Sequence, residues 1–412
     1  MKPILLPLMA AAGVAGAIIS TPPPPLTAKW EKHQLSRYFW AEGACVADVN
    51  SDGKPDVISG PYWFEGPDFK STHTIYPSAK SFEIEGEKIP GFEGELSKKN
   101  AYSDNFLSYS GDFNADGRPD YLVIGFPGKE TFWYENPGPS DEMWVRHTAH
   151  AVTDNESPML ADIDGDGQQD LLCMSNGTIG YATFDPKKPG EIWNWKAITP
   201  VDKKSYQRFS HGIGHGDING DGLTDILEAK GWWEQPADWD GKAPWKRHDA
   251  EFGTKGGAQM FGYDVNADGR TDVISSLDAH GFGLCWFEQN EDGTWIRHLL
   301  TDTPDEKGST GVAFSQPHAI DLADIDGNGT LDIVTGKRFW AHGPNGDPEP
   351  NEPAVLYAFL LDRKDGQASY RAEIIDDSSG VGCQVMATDV NGDKKPDIIV
   401  GNKKGCFVHL QK

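Results

Sequence analysis

The amino-acid sequence predicts an all-β fold, a seven-bladed β-propeller built from four-stranded blades. The main observation is a nine-residue signature, with Asp at both ends, that occurs seven times in the 412-residue chain at intervals of 47 to 65 residues. Repeats of that size indicate one supersecondary unit that cannot bury its apolar face alone. An apolar run follows each copy, so the signature is expected in a loop between two short strands. Seven such units can close into a ring that protects the edges of the sheets.

The acidic loops have the ligand pattern of a calcium site. Oxygen-bearing side chains occupy positions 1, 3, 5 and 9 of each copy, and Gly occupies position 6 in six of the seven copies. Ca²⁺ takes about six to eight oxygen ligands in a flexible shell, and Gly permits the tight turn. We expect structural calcium in several loops, with weaker sites in the last two copies, where Asn328 and Lys394 break the pattern. The predicted calcium ligands are Asp48, Asn50, Asp52, Asp56, Asp112, Asn114, Asp116, Asp120, Asp162, Asp164, Asp166, Asp170, Asp217, Asn219, Asp221, Asp225, Asp264, Asn266, Asp268, Asp272, Asp324, Asp326, Asn328, Asp332, Asp389, Asn391, Asp393 and Asp397.

A second repeat, a strand of the form Trp-x-x-His, predicts how the ring closes. It stands before acidic loops at Trp144–His147, Trp245–His248 and Trp295–His298. The last blade has no such strand after it, and the missing copy lies near the N-terminus at Trp30–His33. We therefore expect the N-terminal strand to complete the last blade. The histidines of this repeat lie on outermost strands and are expected to be structural.

The first 27 residues differ from the rest of the chain. Lys2 precedes an apolar stretch with an Ala-Gly-Ala site at 15–17, and a run of prolines follows. This order is typical of a secretory signal peptide, here residues 1–20, followed by a Pro-rich linker over 21–27. An uncleaved membrane anchor is the alternative, but the apolar run is short for one. Residues 28–412 are expected to form the propeller of a periplasmic or secreted protein that has no membrane association after cleavage.

Net charge limits the class of partner, and the cysteine content indicates how the thiols are used. The formal net charge of −26 argues against nucleic acid and anionic membranes. The five cysteines are odd in number and lack metal-ligand spacing, so most are expected in the core. A bridge between Cys383 and Cys406 stays open, and the oligomeric state is not predicted.

Topology predicts where a site would lie. If the acidic loop joins the first two strands of a blade, the loops between blades and between second and third strands share the opposite face. The position six residues before each first Asp then begins the inner strand, and it is occupied by Glu42, Glu156, His211 and His318 in four blades. Glu and His that converge there would hold a divalent transition metal or act as acid and base. A polar, water-filled channel is the alternative.

The loops on the same face add further candidates. Loops that are elaborated on one face of a rigid scaffold often carry function, and His280, Lys337, Arg338 and His342 lie in such loops. The predicted catalytic residues are His211, His318, His280, Lys337, Arg338 and His342, and the predicted substrate-binding residues are Glu42, Glu156, Gln259, Gln384, Trp232 and Trp340.

The acidic repeats resemble the FG-GAP or VCBS repeat family, whose members are seven-bladed propellers with calcium in such loops. The resemblance covers residues 28–412 and implies a fold more than a function. Longer stretches, among them His211–Asp217, Gly231–Pro236 and Gly336–Gly343, are similar to exported bacterial propellers related to the propeller domain of aldos-2-ulose dehydratase. That enzyme eliminates water from keto-sugars, although its cupin and lectin domains have no counterpart in this sequence.

Two functions from different classes follow. The first is an exported carbohydrate-active lyase or dehydratase that performs β-elimination on a keto-sugar or 3-keto-glycoside at the channel mouth. The second is a non-catalytic, calcium-stabilised propeller that binds carbohydrate or protein. The sequence contains no serine-nucleophile motif, phosphate loop or dinucleotide fingerprint. The His, Lys and Arg residues concentrated in the fourth to sixth blades favour the lyase.

Overall fold

The computed structural model describes residues 29–78, 81–84, 87–90, 102–140 and 142–412. The predicted signal peptide and Pro-rich linker lie outside the described residues. Within these ranges the protein is an all-β propeller without a helix. Consequently, this part of the chain offers no helical segment with the length and apolar character needed to span a bilayer.

The strands follow one another along the chain in four-stranded antiparallel units. After β1 (Trp30–Ser36), sheet I contains β2 (Cys45–Ala47), β3 (Asp56–Ser59), β4 (Tyr62–Phe64) and β5 (Thr72–Thr74), and a separate hairpin contains β6 (Ser81–Ile84) and β7 (Glu87–Pro90). Sheet II contains β8 (Leu107–Gly111), β9 (Asp120–Ile124), β10 (Lys129–Glu135) and β11 (Val145–Thr153), and sheet III contains β12 (Met159–Ala161), β13 (Asp170–Ser175), β14 (Thr178–Thr183) and β15 (Asn194–Ala197).

The remaining strands form one double-sized sheet and two further four-stranded sheets. Sheet IV contains β16 (Ile213–Gly216), β17 (Asp225–Glu228), β18 (Gly231–Glu234), β19 (Lys246–Asp249), β20 (Gln259–Tyr263), β21 (Asp272–Ser276), β22 (Leu284–Gln289) and β23 (Trp295–Thr301). Sheet V contains β24 (Pro317–Ala323), β25 (Asp332–Lys337), β26 (Leu356–Lys364) and β27 (Gln367–Asp376), and sheet VI contains β28 (Val385–Thr388), β29 (Asp397–Asn402), β30 (Gly405–Gln411) and β1.

Sheet IV departs from the expectation of separate four-stranded blades. It has eight strands because β16 and β20, the inner strands of two successive units, pair in parallel. Glycine permits this approach, since a Cβ atom on Gly214 would lie 1.9 Å from Met260 O and one on Gly216 would lie 2.7 Å from Gly262 Cα. The described chain therefore contains five separate four-stranded sheets and one eight-stranded sheet.

The N-terminal strand pairs with the last strand, as the Trp-x-x-His repeat predicts. Trp30 of β1 lies opposite Gln411 of β30, and His33 lies opposite Val408. The strand order of sheet VI is β1, β30, β29, β28. One sheet thus joins the two ends of the described chain.

The Asp at position 9 attaches the acidic loop to its sheet in six of the seven copies. In sheet I, Asp56 Oδ2 accepts a hydrogen bond from Val49 N (2.8 Å) and its Oδ1 accepts one from Gly66 N (2.8 Å). The corresponding two bonds recur at Asp120, Asp225, Asp272, Asp332 and Asp397. Each of these carboxylates therefore joins the loop to the third strand of its unit.

The edge-strand histidines pack in a repeated three-residue arrangement. The ring of His147 stacks on Trp133 with centroids 4.3 Å apart, and its Nε2 lies 2.9 Å from Glu135 Oε2. The same arrangement recurs in Trp63–His73–Glu65, Trp232–His248–Glu234 and Trp286–His298–Glu288. These four histidines lie on the last strands of their units; the sequence predicts this for His147, His248 and His298, and the structure adds His73.

The core lies between neighbouring units rather than in one place. Leu172 of sheet III, for example, packs in one cluster with Ile226 of sheet IV. All five cysteines are buried as free thiols, so Cys383 and Cys406 are not bridged.

Candidate catalytic site

A cluster of charged side chains lies where the inner strands of sheets I, III, IV and V begin. The Nε2 atoms of His211 and His318 are 3.3 Å apart, and Glu156 Oε2 lies 3.7 Å from the first and 3.3 Å from the second. Arg338 follows β25 and places Nη1 3.2 Å from Glu156 Oε2 and 2.8 Å from His318 Nε2. Residues that share one offset from the acidic loops are thus brought together.

Arg338 is fixed by a second carboxylate. Its Nη2 lies 3.0 Å from Glu42 Oε1 and its Nε lies 3.2 Å from Glu42 Oε2, which is the two-pronged pairing that suits a guanidinium. Both side chains are fully buried. Because both Glu42 oxygens are engaged, Glu42 orients the guanidinium within the cluster.

The electrostatics of the cluster leave His318 neutral and Glu156 ionised. Burial, together with the positive charge of Arg338, holds the pKa of His318 well below its usual range. Arg338 donates to Nε2, so the proton of the neutral ring is on Nδ1, which has no hydrogen-bond partner among the described residues. Burial alone would raise the pKa of Glu156, but His211, His318 and Arg338 outweigh it and hold that pKa well below its usual range.

Two loop histidines extend the cluster towards solvent. The ring of His280 lies 4.9 Å from that of His211 and stacks on His342 at 4.4 Å. Asp347 Oδ1 lies 2.9 Å from His342 Nδ1 and 3.5 Å from His280 Nδ1; the second contact lacks hydrogen-bond geometry. Burial alone would raise the pKa of Asp347, but both histidines hold it well below its usual range. The sequence does not single out Asp347, because it lies in an insertion that no repeat marks.

The cluster has the composition of a transition-metal site. Glu156, His211, His280 and His318 each offer one ligand atom, and these atoms lie within 4.8 Å of one another. Three imidazoles and a carboxylate suit zinc, iron or nickel. Acceptor atoms of three of these side chains converge near one point, where Arg338 donates to His318 Nε2 and lies 3.2 Å from Glu156 Oε2. In residue type and spacing these side chains fit a divalent metal, which would take the place of the guanidinium at those two ligand atoms.

The two predicted glutamines bind within the fold. Gln259 donates from Nε2 to Cys383 O (3.0 Å) and accepts from Ile320 N (3.3 Å). Gln384 accepts from Ser108 N (2.9 Å) and donates to Ser108 O (2.8 Å). Both amides connect inner strands of different sheets, and nothing in their contacts adds to their predicted role in substrate binding.

The remaining predicted residues do not join the contacts of the cluster. Lys337 is buried and donates from Nζ to Ser315 Oγ, and burial lowers its pKa to about 8. Trp232 is buried against His248 in the stack described above. Trp340 is half-buried and donates from Nε1 to Asn351 Oδ1 (2.9 Å).

A cleft of about 620 Å³ opens beside His211. Its walls come from the segment between β15 and β16, which contributes Tyr206 and Phe209, and from the end of β17 with the turn that follows, which contribute Glu228 and Lys230. The volume is in the range of about 300–1,000 Å³ that is common for small-molecule sites. Phe209 and Glu228 are absent from the sequence-based prediction because neither belongs to a repeat.

The acidic loops differ in how their carboxylates are engaged. Three carboxylate oxygens lie within 4.8 Å of one another in the third loop and in the sixth, which was expected to be weak. In the first, second and fifth loops the basic residue at position 7 covers the Asp at position 5. These pairs are Lys54–Asp52, Arg118–Asp116 and Arg270–Asp268. The third and sixth loops therefore fit a cation best, although Lys196 lies 2.8 Å from Asp164 in the third.

Comparison with known families identifies the type of repeat in two stretches of the chain. A family model described as FG-GAP-like repeat matches residues 112–173 and 264–335. The chain contains FG-GAP-like repeats. They coincide with acidic loops that the sequence predicts. No match to a curated protein is found.

Several solved structures are distantly similar. A lectin of Agrocybe aegerita that recognises non-reducing terminal N-acetylglucosamine is 17% identical, with 92% of this chain and 86% of the lectin covered and a TM-score of 0.45. A rhamnogalacturonan lyase is 12% identical, with 95% of this chain and 73% of the lyase covered and a TM-score of 0.42. The V. cholerae biofilm matrix protein Bap1 is 12% identical, with 89% and 76% covered and a TM-score of 0.35.

Proposed function

We propose that the protein is a carbon–oxygen lyase that acts on a keto-sugar or 3-keto-glycoside. The proposal is supported chiefly by the contact between His211 and His318, whose Nε2 atoms are 3.3 Å apart beside Glu156 and Arg338. Elimination next to a carbonyl needs a base for the acidified C–H, positive charge near the developing enolate and an acid for the leaving oxygen. The cluster offers a group for each task.

His211 is the base in this mechanism, because it lines the cleft as well as the cluster. It takes the proton from the carbon next to the carbonyl, and the C–H electron pair forms the enolate. The guanidinium of Arg338, fixed by Glu42 and in contact with His318, supplies the positive charge for the enolate oxygen at the cluster. Collapse of the enolate forms the C=C bond and breaks the C–O bond, and the imidazolium form of His342, which Asp347 holds through Nδ1, gives its proton to the leaving oxygen.

A divalent metal at Glu156, His211, His280 and His318 is the second form of this proposal. When bound, such an ion would polarise the substrate carbonyl. His342 then remains to move a proton, since Asp347 holds its Nδ1 and its side chain is half exposed. Metal analysis of the purified protein separates the two forms.

The experiment is a screen of 3-keto-glycosides for enone products that absorb in the ultraviolet. His211→Ala is expected to lower turnover by at least about a hundredfold, as loss of a general base does. His248→Ala, in the Trp232 stack far along sheet IV, is the control and should lower the melting temperature while sparing turnover. Turnover by His211→Ala equal to that of the wild type would refute the assignment.

The alternative is a non-catalytic propeller that binds carbohydrate, and the cleft with its exposed Phe209 favours it. If no keto-glycoside is converted while sugars bind in the cleft, this alternative takes first place.

The proposal includes a seven-bladed ring, with the two four-stranded halves of sheet IV counted as two blades. It also includes export after signal cleavage and structural calcium in the third and sixth acidic loops. The partner it implies is a small carbohydrate.

A further inference from the structure

The cleft contains a glutamate that the reaction at the histidines does not use. Glu228 is 7% exposed, and its Oε1 accepts hydrogen bonds from Tyr206 Oη (3.1 Å), Arg247 Nε (3.2 Å) and Trp233 Nε1 (3.3 Å). Its Oε2 receives no hydrogen bond from the described residues. Three donors on one oxygen hold the carboxylate in place. The second oxygen is left to accept hydrogen bonds from a ligand in the cleft.

An exposed aromatic ring lies in the same cleft. Phe209 is 40% exposed, although it is a large apolar side chain. Its φ of 68° is a left-handed conformation that is uncommon for a bulky residue. The backbone is held there by a hydrogen bond from Phe209 N to Asp154 O (2.9 Å), and Phe126 packs edge-on against the ring at 5.6 Å. The guanidinium of Arg208 lies over the ring at 4.7 Å from its centroid, and the rest of the exposed ring forms an apolar platform at the cleft wall.

Charge in the cleft selects against an acidic ligand. The lysines and the arginine that line the cleft each have an acidic partner already: Lys230 with Glu251, Lys255 with Asp278 and Arg247 with Glu228. A ligand carboxylate would be repelled by Glu228 Oε2, and the three lining cations are already paired, whereas a hydroxyl group would donate to that oxygen. Carboxylate acceptors and aromatic faces together suit a neutral sugar ring.

We propose that this cleft binds a second, neutral pyranosyl unit of the substrate. Glu228 Oε2 accepts its hydroxyl groups and Phe209 packs against its C–H face. The link to catalysis rests on the proposed function, since the sugar would extend from the unit that reacts at His211. Binding of the sugar does not rest on it.

The test uses the full chain and disaccharides that carry no keto group, so that elimination plays no part. Binding of cellobiose, maltose and trehalose is measured by saturation-transfer NMR and calorimetry, beside cellobiouronic acid as the acidic analogue. At least one neutral disaccharide should bind, and the acidic analogue should bind at least about tenfold more weakly. Phe209→Ala and Glu228→Gln should each weaken binding about tenfold. For Glu228→Gln this is the scale of a lost hydrogen bond to a charged group, and for Phe209→Ala the loss is that of the apolar contact.

Glu234→Gln is the matched control, because Glu234 lies on the neighbouring strand and contacts His248 and Lys246 instead of the cleft. It should bind like the wild type. The inference is overturned if no neutral disaccharide binds, if the acidic analogue binds best, or if folded Phe209→Ala binds like the wild type. Glu228→Gln also removes the negative charge that pairs with Arg247, so the surface variant Phe209→Ala keeps the test decisive if Glu228→Gln fails to fold.

A kinetic arm separates this inference from the proposed lyase. The ratio of KM for a 3-keto-disaccharide to KM for methyl 3-keto-glucoside should rise in Phe209→Ala, because only the disaccharide reaches the platform. If keto-sugars are not converted at all, the lyase is wrong, yet the binding result with unoxidised disaccharides still decides the cleft.

Discussion

The histidines of this protein differ in what surrounds them. Those on edge strands lie between a tryptophan and a glutamate, as His147 does, whereas His211 and His318 contact one another and a buried ion pair. A third kind is buried without a charge partner in hydrogen-bond contact: His150 and His409 each contact only a serine hydroxyl through Nε2. This third kind makes folding sensitive to acid.

Acid should destabilise the protein through His150 and His409. Burial lowers the pKa of each ring from 6.5 to about 4. Between those pH values the unfolded chain takes up protons that the folded chain does not, so unfolding is favoured as pH falls. The free energy of unfolding should fall between pH 6.5 and 4 by up to about 3 kcal/mol for each ring. Denaturant titrations at pH 7, 5.5 and 4.5 measure it.

The variant comparison is His409→Gln against the wild type, and the substitution should flatten the acid limb of the stability curve. Asp321 acts in the opposite sense, since burial raises its pKa to about 6, and burial likewise raises the pKa of position-9 aspartates such as Asp332, to about 7. For that reason the difference between the two proteins is compared rather than the whole curve. Equal acid limbs in variant and wild type would contradict the assignment.

Convergence of His211, His318, Glu42 and Glu156 was predictable because repeats turn an equal offset along the chain into an equal place in the ring. Asp347 was not, because it lies in an insertion without a counterpart in other units. Glu228 was hidden by its position in a strand whose burial pattern looks like core. The use of Glu42 as a partner of Arg338 depends on side-chain contacts between sheets I and V, which no local pattern expresses.

At the scale of elements, the acidic loops can be predicted from the sequence, whereas the pairing at the inner glycines cannot. The loops recur with one set of backbone hydrogen bonds, so their existence follows from their sequence. The pairing of β16 with β20 depends on glycines that face one another across two units. Counting repeats treats the two units as equivalent, so it does not predict that β16 and β20 pair.

Calcium should stabilise the protein through the third and sixth loops. Chelation is expected to lower the melting temperature, because a ligand held at about a hundred times its Kd adds about 2.7 kcal/mol. Asp324→Ala should reduce the calcium-dependent shift. Asp112→Ala is the matched control, since both residues accept the same backbone N–H groups of their loops. A melting curve that chelator leaves unmoved would show that the loops hold no calcium.

Gly214→Ala should break the parallel pairing in sheet IV. Its Cβ would lie 1.9 Å from Met260 O, which neither backbone can avoid without separating. We expect a loss of more than about 2 kcal/mol in denaturant unfolding. Gly190→Ala is the control, because nothing lies within 4 Å of its Cβ position; it should change stability by less than about 0.5 kcal/mol. Equal stabilities would mean that the close approach is dispensable.

For the whole molecule, the pairing of β1 with β30 is the contact on which closure of the propeller depends. It joins the two ends of the described chain and covers the outer edge of sheet VI. The Trp-x-x-His repeat predicts it because one copy is missing at the end of the chain and one is present at the start. The position of the missing repeat copy therefore predicts which two strands pair, which no single unit does by itself.

Removal of β1 should unfold or aggregate the protein. A chain that begins at Thr27 is expected to melt like the full chain without the predicted signal peptide, whereas one that begins after Ser36 exposes an unpaired strand edge. Size-exclusion chromatography and thermal melting of both chains provide the measurement. A folded monomer without residues 28–36 would show that the ring does not need this strand.

The same pairing sets a schedule for synthesis. Trp30 and its partner Gln411 are separated by about 380 residues, and ribosomes add about 5–20 residues each second. The first strand therefore waits about 20–80 s for the last one to be made. During that interval the propeller cannot close. The export proposed above would need such a chain, because a translocase moves polypeptides that have not yet folded.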